Sequence, residues 1–293
     1  MTTVEIATDP QAHASPGVVR RPRSSWRSPA LLLALAVIAL VALAALLPGA
    51  LTRQDPLVIH LDQSFAAPSA EHWFGNDQSG RDVFARVVHG TRQSVLIGLG
   101  ATALAMAGAL VLGLLAGLGS RFTDGAVNRA VEVLYAFPGL LLALVLITVF
   151  GNGALTQIVA VGVASLPGYT RMVRGQVLAV RFAPYVQAAR TLGHPSRTIV
   201  ARTILPNAFR PLVALITLGV GQAIVWAAAL GFLGLGVQPP APEWGAMLNA
   251  GRNYLQQAWW LDFFPGAVII LTTLAVTVLG RFLQNATRPG SPS

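Results

Sequence analysis

The sequence has no cysteine and no lysine, and only 11 of its 293 residues are acidic. Without cysteine there are no disulfides and no thiolate metal sites, and nothing in the sequence marks a redox compartment. Without lysine there is no Walker-type phosphate loop, since that loop needs an ammonium to reach the terminal phosphates. The chain therefore cannot be its own ATPase of that kind. All 20 basic residues are arginine, which leaves a net charge of +9. Charged residues make up only 11% of the chain, hydrophobic ones 54%, and the mean hydropathy is +0.62. That balance, with charge-free runs longer than about 18 residues, places the chain in the membrane class.

Other chemistries are missing too. The five histidines (His13, His60, His72, His89 and His194) fall outside the apolar runs, and no Gly-x-Ser-x-Gly occurs, which argues against an intramembrane serine protease. No metal-ligand spacing of histidines or carboxylates appears, so no metal site is expected. Ion-coupled carriers place ionisable groups within the membrane. Here none lies mid-run, Glu132 being at an edge.

What is present is five charge-free windows: 29–51 (running on to 52), 93–120, 133–170, 211–242 and 263–280. As one helix the third would reach roughly 57 Å, well beyond a hydrocarbon core of about 30 Å. A break at Phe150, Gly151, Asn152 and Gly153 divides it into spans over about 131–150 and 154–170. The fourth holds a span over about 211–232 and then a Gly- and Pro-rich irregular segment. The expectation is an all-α polytopic membrane protein with six transmembrane helices.

Six spans put both termini on one side. That side holds Arg20, Arg21, Arg23, Arg27, Arg121, Arg129, Arg171, Arg174, Arg181, Arg190, Arg197, Arg202, Arg210, Arg281 and Arg288. The other side holds Arg53, Arg81, Arg86, Arg92 and Arg252, a split of 15 to 5. The positive-inside rule then makes the N- and C-termini cytoplasmic. The net charge reads as an orientation signal rather than a nucleic-acid surface, because the arginines are spread over several loops without interleaved aromatics. Residues 1–28 lack periodicity and read as a disordered cytoplasmic tail. "RRPRSSWR" resembles the start of a signal peptide, but the apolar run after it, about 20 residues, exceeds the usual 7 to 15, so an uncleaved first helix over 29–52 is preferred. The Arg pair lacks the flanking pattern of a twin-arginine signal.

One stretch, "PYVQAARTLGHPSRTIVARTILPN" (184–207), has three arginines and no acid between two apolar runs. Pro184 suits a first helical position and Gly193 a position just past a helix end, which predicts a helix of about nine residues. Tyr185, Ala188, Ala189 and Leu192 recur at helical spacing as a narrow apolar face whose alanines allow deep seating on another surface. Ser196 is the expected N-cap of a second helix, with Ile199, Val200, Thr203 and Ile204 on one face and its end at Pro206. The rival to a docking element is an ordinary loop whose arginines fix topology and bind anionic lipid headgroups.

"QAARTLG" followed by "ILPNAFRPL" resembles the cytoplasmic signature of ABC-importer permeases. In that signature Glu-Ala-Ala, a Gly three residues on and a Leu-Pro further along mark the coupling helix. Here Gln187 stands in the Glu position, keeping the length and hydrogen bonding but losing the charge. "HWFGNDQSGRDVFARVVHGTRQS" (72–94) is similar to the segment after the first span in C-type subunits of dipeptide, oligopeptide and nickel importers, with Asn76 in place of the usual Thr. "FLGLGVQPPAPEWGAML" (232–248) and "FFPG" (263–266) resemble the same subfamily's long external loop and the start of its last span. Together these motifs cover roughly 70–285.

The resemblance implies an ABC importer type I permease fold and a bacterial plasma (inner) membrane subunit. The Ala- and Arg-rich, Lys-free composition is in keeping with a GC-rich bacterium. Its parts would be an external segment with an interfacial helix (53–92), a five-helix core (93–285) with a cytoplasmic coupling loop (171–210) and an external loop (233–262), and a short cytoplasmic tail (286–293). Val83, Phe84, Val87 and Val88 lie opposite Arg81, Asp82, Arg86 and His89, as on a helix at the membrane surface. The implied ATPase-coupling residues are Tyr185, Gln187, Ala188, Ala189, Leu192, Gly193, Leu205 and Pro206.

Gly75, Asp77, Gly80, Arg81 and Asp82, with Glu243 and Trp244, either make turns and local ion pairs or touch a substrate-delivering protein. Trp244, Trp259 and Trp260 read as an aromatic belt. Gln222 and Trp226 either line a translocation path or pack between helices. The implied partners are a second homologous permease, two cytosolic ABC ATPases carrying ATP and Mg, an external substrate-binding protein and membrane lipid, with no nucleic acid and no cofactor in this chain. The implied cargo is a peptide or related small solute. The alternatives are an ATP-independent secondary carrier or channel and a membrane scaffold without transport.

Overall fold

The computed structural model describes residues 28–286. The tails expected at 1–28 and 286–293 lie outside that range except for Ser28 and Ala286. Among the described residues the chain is helical, and its extended pairing is limited to one bridge between Asn76 and Asp82.

Helix α1 (Pro29–Leu46) begins where Ser28 Oγ accepts from the Leu31 N–H and Pro29 occupies the first turn. Pro48 stops it, and a 3-10 turn at Pro48–Ala50 leads into the loop. α2 (Val83–Leu118) then runs unbroken for 36 residues from its cap at Asp82. The interfacial helix expected near 83–92 and the span expected from 93 are thus a single rod. Gly90 does not end it, because its bare Cα lies against the Pro242–Glu243 backbone, where an added Cβ would sit 3.4 Å from both residues.

The expected continuous span over 131–150 is broken. α3 (Arg121–Tyr135) and α4 (Gly139–Phe150) meet at 83°, with Pro138 between them. Proline brings no N–H for the helix and steers the preceding residue out of the helical region. The Phe150–Gly153 break does occur, with Gly151 at φ +83° and Gly153 at +148°. α5 (Ala154–Arg181) follows, then the short helices α6 (Pro184–Thr191) and α7 (Ser196–Ile199).

The second helix does not stop at Pro206. A π-turn over Val200–Ile204 joins α7 to α8 (Leu205–Phe232), placing Pro206 in the first turn of a long rod. The wide turn displaces the carbonyls that the proline ring would otherwise strike. Ser196 is the first residue of α7, with Pro195 at the cap position, so it does not cap that helix. α9 (Trp244–Gly251) and α10 (Trp260–Ala286) complete the described chain.

By length and apolarity α1, α2, the α7–α8 rod and α10 can cross a membrane, and the bent α3–α4 pair makes a fifth. That is four or five spans against the six expected. The helix without a match is α5, long enough at 28 residues but carrying Arg171, Arg174 and Arg181 in its C-terminal half. α2 and α5 form the most extensive pair. Their axes approach closely because Gly113 and Gly117 face Val173 and Val177, while Gly162 of α5 receives Leu104. Leu33, Val111 and Leu271 remain exposed, as an apolar surface turned to lipid requires.

Candidate functional site

Two polar regions sit at opposite ends of the α2–α5 pair, and they are built differently. At the arginine-rich end, α6 stops in a Schellman arrangement: Gly193 N–H donates to the Arg190 carbonyl at 2.9 Å and His194 N–H to that of Ala189 at 3.2 Å. Gly193 has φ +77°, which a glycine reaches without strain. The helix ends at Thr191, one residue short of the expected 192, with Leu192 as its C-cap. It is pinned by Val186, fully buried among Val173, Val177, Ile199 and Ile204.

Most of the expected coupling residues point away from that anchor. Tyr185 is 50% exposed and Leu192 77%; Gln187, Ala188, Gly193 and Pro206 are exposed, while Ala189 and Leu205 are half-buried. An apolar patch held out by a single buried side chain is a surface in want of a partner.

Three arginines of α5 brace this end. Arg174 grips Asp124 of α3 through two bonds, Nε at 2.6 Å and Nη2 at 2.7 Å. Arg181 Nη1 donates to the Gly117 carbonyl of α2 at 2.7 Å, and Arg171 lies over the Tyr135 ring at 4.3 Å. The sequence marked these arginines only as an orientation signal, and Asp124 carried no signal at all.

At the other end the motif beginning at residue 72 forms a closed knot. Gly75 (φ +68°) and Gly80 (φ +73°) make the turns, and a Cβ on Gly80 would run into the His60 carbonyl. Asp77 Oδ1 accepts from the Ser79 and Arg81 N–H groups, and its Oδ2 from Arg81 Nε at 2.7 Å. Asp82 caps α2 by accepting from the Ala85 N–H, and its second oxygen meets His72 Nδ1 at 2.8 Å. Its partner is thus a histidine across the loop, not an arginine of its own helix.

Glu243 caps α9. Its two oxygens accept from the Gly245 and Ala246 N–H groups at 2.8 Å, and Ser94 of α2 donates to Oε1 at 3.2 Å. Ser94 Oγ in turn accepts from the Trp244 N–H at 3.1 Å, and Trp244 Nε1 donates to the Val87 carbonyl. Burial pushes the Glu243 carboxyl above its usual range, against the pull of these donors.

All seven residues expected as contacts for an external protein are enclosed. Gly75, Asp77, Gly80, Arg81, Asp82, Glu243 and Trp244 are buried, Glu243 to 1% and Trp244 to 0% exposure. Turn-making, capping and ion pairing occupy their polar groups. The aromatic belt is corrected in part: Trp260 is buried and donates to the Asn76 carbonyl at 3.1 Å, which leaves Trp259 as the exposed member. No local pattern singles out Ser94, although its hydroxyl joins α2 to α9.

On α8, Gln222 is exposed, and one turn on Trp226 packs where α4 begins, so that a Cβ on Gly139 would strike its ring. Trp226 thus sits beside the α3–α4 bend, with Gln222 one turn before it on the same helix. Nearby, the fully buried Gln157 donates to the Ala227 carbonyl at 2.8 Å.

Comparison with known proteins agrees with this arrangement. Residues 109–290 match the family model described as "Binding-protein-dependent transport system inner membrane component". The chain is 40% identical over 222 residues to the dipeptide transport system permease protein DppC of Alkalihalophilus pseudofirmus, covering 76% of this chain and 73% of that one. It is 39% identical over 263 residues to the probable D,D-dipeptide transport system permease protein DdpC of Escherichia coli, covering 89% and 88%. To the glutathione transport system permease protein GsiD of Pectobacterium atrosepticum it is 41% identical over 228 residues, covering 78% and 76%.

Among solved structures, an inward-facing MetNI methionine ABC transporter matches with a TM-score of 0.58 at 18% identity, over 69% of this chain and 96% of that one. An amino acid ABC transporter with histidines matches with a TM-score of 0.57 at 15% identity, over 69% and 94%. These two bear on the fold alone. With a family model covering most of the chain, and relatives near 40% identity along most of its length, the protein belongs to the binding-protein-dependent transport inner-membrane components, the multi-pass permease subunits of ABC importers, whose ATPase activity resides on separate subunits.

Proposed function

We propose that this chain forms half of the translocation path of a bacterial plasma-membrane importer for small peptides or related solutes, beside a second, homologous permease. Of two cytosolic ATPases binding ATP and Mg, one docks on α6 and the other on the second permease, and an external binding protein delivers the cargo. The observation that carries this is the exposed Tyr185–Leu192 face, fixed to the core through buried Val186 and half-buried Ala189. Such a face can follow a moving partner while its anchor passes the motion to α5. Leu205 and Pro206, at the foot of α8, are positioned to follow it.

In this reading the chain crosses six times, with both termini cytoplasmic. α2 ends at the arginine-rich side and α5 begins at the other, so the bent α3–α4 pair carries the chain across between them, and α5 is the remaining span. Trp226, beside that bend, and Gln222, one turn before it, are the path residues. Peptide cargo is supported by the three relatives, whose names give dipeptides, D,D-dipeptides and glutathione.

Purification from native membranes in mild detergent, followed by mass spectrometry, should recover a homologous permease and one or two ATPases. Proteoliposomes of that complex should take up peptide only with ATP inside the ATPase-facing compartment and binding protein on the opposite side. Recovery of the chain alone from an intact preparation, or uptake that persists without ATP and collapses with an ion gradient, would overturn the proposal.

A further inference from the structure

The loop between α1 and the knot carries an apolar ridge. Leu57, Val58, Ile59 and Leu61 are between 46% and 73% exposed, four large side chains within five positions. The backbone beneath them is held in place. The Pro56 carbonyl accepts from Arg86 Nη1 at 3.1 Å, the His60 N–H donates to the Ser79 carbonyl at 3.1 Å, and the bare Cα of Gly80 lets the His60 carbonyl lie against it. Asp55 and Asp62 stand exposed at the two ends of the ridge, and neither pairs with a cation among the described residues. An exposed apolar patch with a charged rim marks a contact surface.

Lipid does not reach it. Along α2 the exposed large apolar side chains run from Leu96 to Leu115, about 29 Å at 1.5 Å per residue, which matches a hydrocarbon core of about 30 Å. Arg92, the next exposed side chain toward the outer end, closes that belt. The helix nevertheless continues to Val83, about 20 Å beyond Leu96, while headgroups occupy only about 5–8 Å on each side. Because the ridge is tied at Arg86 and at Ser79, it stands outside both layers. Leucine and isoleucine held in water beyond the bilayer call for a protein partner.

We propose that this ridge is the surface on which the external binding protein lands, through an apolar hollow flanked by lysine or arginine. The proposal rests on the importer reading above and on membership of a family whose transport depends on a binding protein. Ser79, Gly80 and Arg86 then serve as the platform that fixes the ridge, and the partner touches the ridge rather than the enclosed motif. A second copy of this chain is a poor occupant, since two-fold pairing would set the acids of one ridge against those of the other.

The test uses the purified transporter complex in lipid nanodiscs and the binding protein that supports peptide uptake in the proteoliposomes. Ile59→Ser with Leu61→Ser should raise at least tenfold the concentration of binding protein that half-saturates ATP hydrolysis. Basal hydrolysis, subunit content and melting midpoint should stay unchanged. Salt should weaken binding to the unaltered complex, and Asp55→Asn with Asp62→Asn should flatten that dependence; a dependence left unchanged overturns the partner's assigned charge. Normal half-saturation in the serine variant overturns the docking surface and leaves the importer reading intact. Loss of the second permease from that variant also overturns it, because the ridge is then a contact between permeases. A fluorophore on Ile59→Cys, in a chain with no cysteine of its own, gives an independent reading. Shielding from aqueous iodide on addition of binding protein supports the site, whereas quenching by spin-labelled lipid places the ridge in the bilayer and overturns it. A binding protein that fails to stimulate the unaltered complex removes the importer reading itself, and this surface with it.

Discussion

The knot built on residues 72–94 and the loop at 171–210 are both arginine-bearing polar regions, yet one is sealed and the other open. In the knot, Asp77, Asp82, Glu243 and Trp244 are buried and joined by hydrogen bonds within the chain. In the loop, Tyr185, Gln187, Ala188 and Leu192 are exposed around the one buried side chain of Val186. A family motif therefore marks two different things. At one end it records what the fold needs to close, and at the other it records what a partner needs to find.

The sharpest way to break the comparison is at Trp244. Trp244→Ala empties a fully enclosed site and removes the indole donor to the Val87 carbonyl, so it should cost about 3–5 kcal/mol, seen as a large drop in melting midpoint or in membrane yield. An equally large loss from any single exposed residue of α6 would erase the distinction.

Next is the pH response of Glu243. Its folded-state value is raised by burial, so its contribution to stability is complete below the ordinary carboxylate range of about 4 and is lost as pH rises through the folded value. The melting midpoint of the protein should accordingly fall relative to that of Glu243→Gln as pH increases from about 4. A constant gap between the two across pH would show that this carboxyl does not titrate with unfolding.

The Asp124–Arg174 pair should matter less. Both side chains are about 30% exposed, so Asp124→Asn should cost about 0–1 kcal/mol, shrinking as salt is added. The exchange of Asp124→Arg with Arg174→Asp should recover most of the loss, as read by thermal melting.

The smallest stability effect belongs to Ala188 on the open face. Ala188→Trp should leave the melting midpoint nearly unchanged, while peptide uptake falls at least tenfold with ATP hydrolysis retained. Gly193→Val adds about 1–2 kcal/mol of backbone strain, since φ +77° disfavours a side chain, and should uncouple in the same way. Uptake at the normal level in Ala188→Trp would remove α6 from the coupling path.

Local chemistry made some features legible in advance. Gly193 and Pro184 bracket α6 as their backbone preferences require, and Gly151 and Gly153 end α4 for the same reason. Burial was less legible. Tyr185 and Leu192 form the periodic face, yet the side chain that anchors the helix is Val186, because the hydrophobic cluster lies on the other side. Helicity at 83–92 was also visible, but not its fusion with the next span, which depends on Gly90 meeting a backbone about 150 positions away.

The sequence by itself determined the class of the protein: apolar runs of membrane length, arginine in excess on one side, no lysine for a phosphate loop, and motifs in the order of an importer permease. These follow from composition and local spacing, which act through the solvent and the nearest neighbours. Only the tertiary structure decided which motif residues are sealed and which are offered. The pairing of Ser94, Asp124 or Glu243 depends on helices that meet from distant parts of the chain, and no local pattern encodes the far side of such a contact.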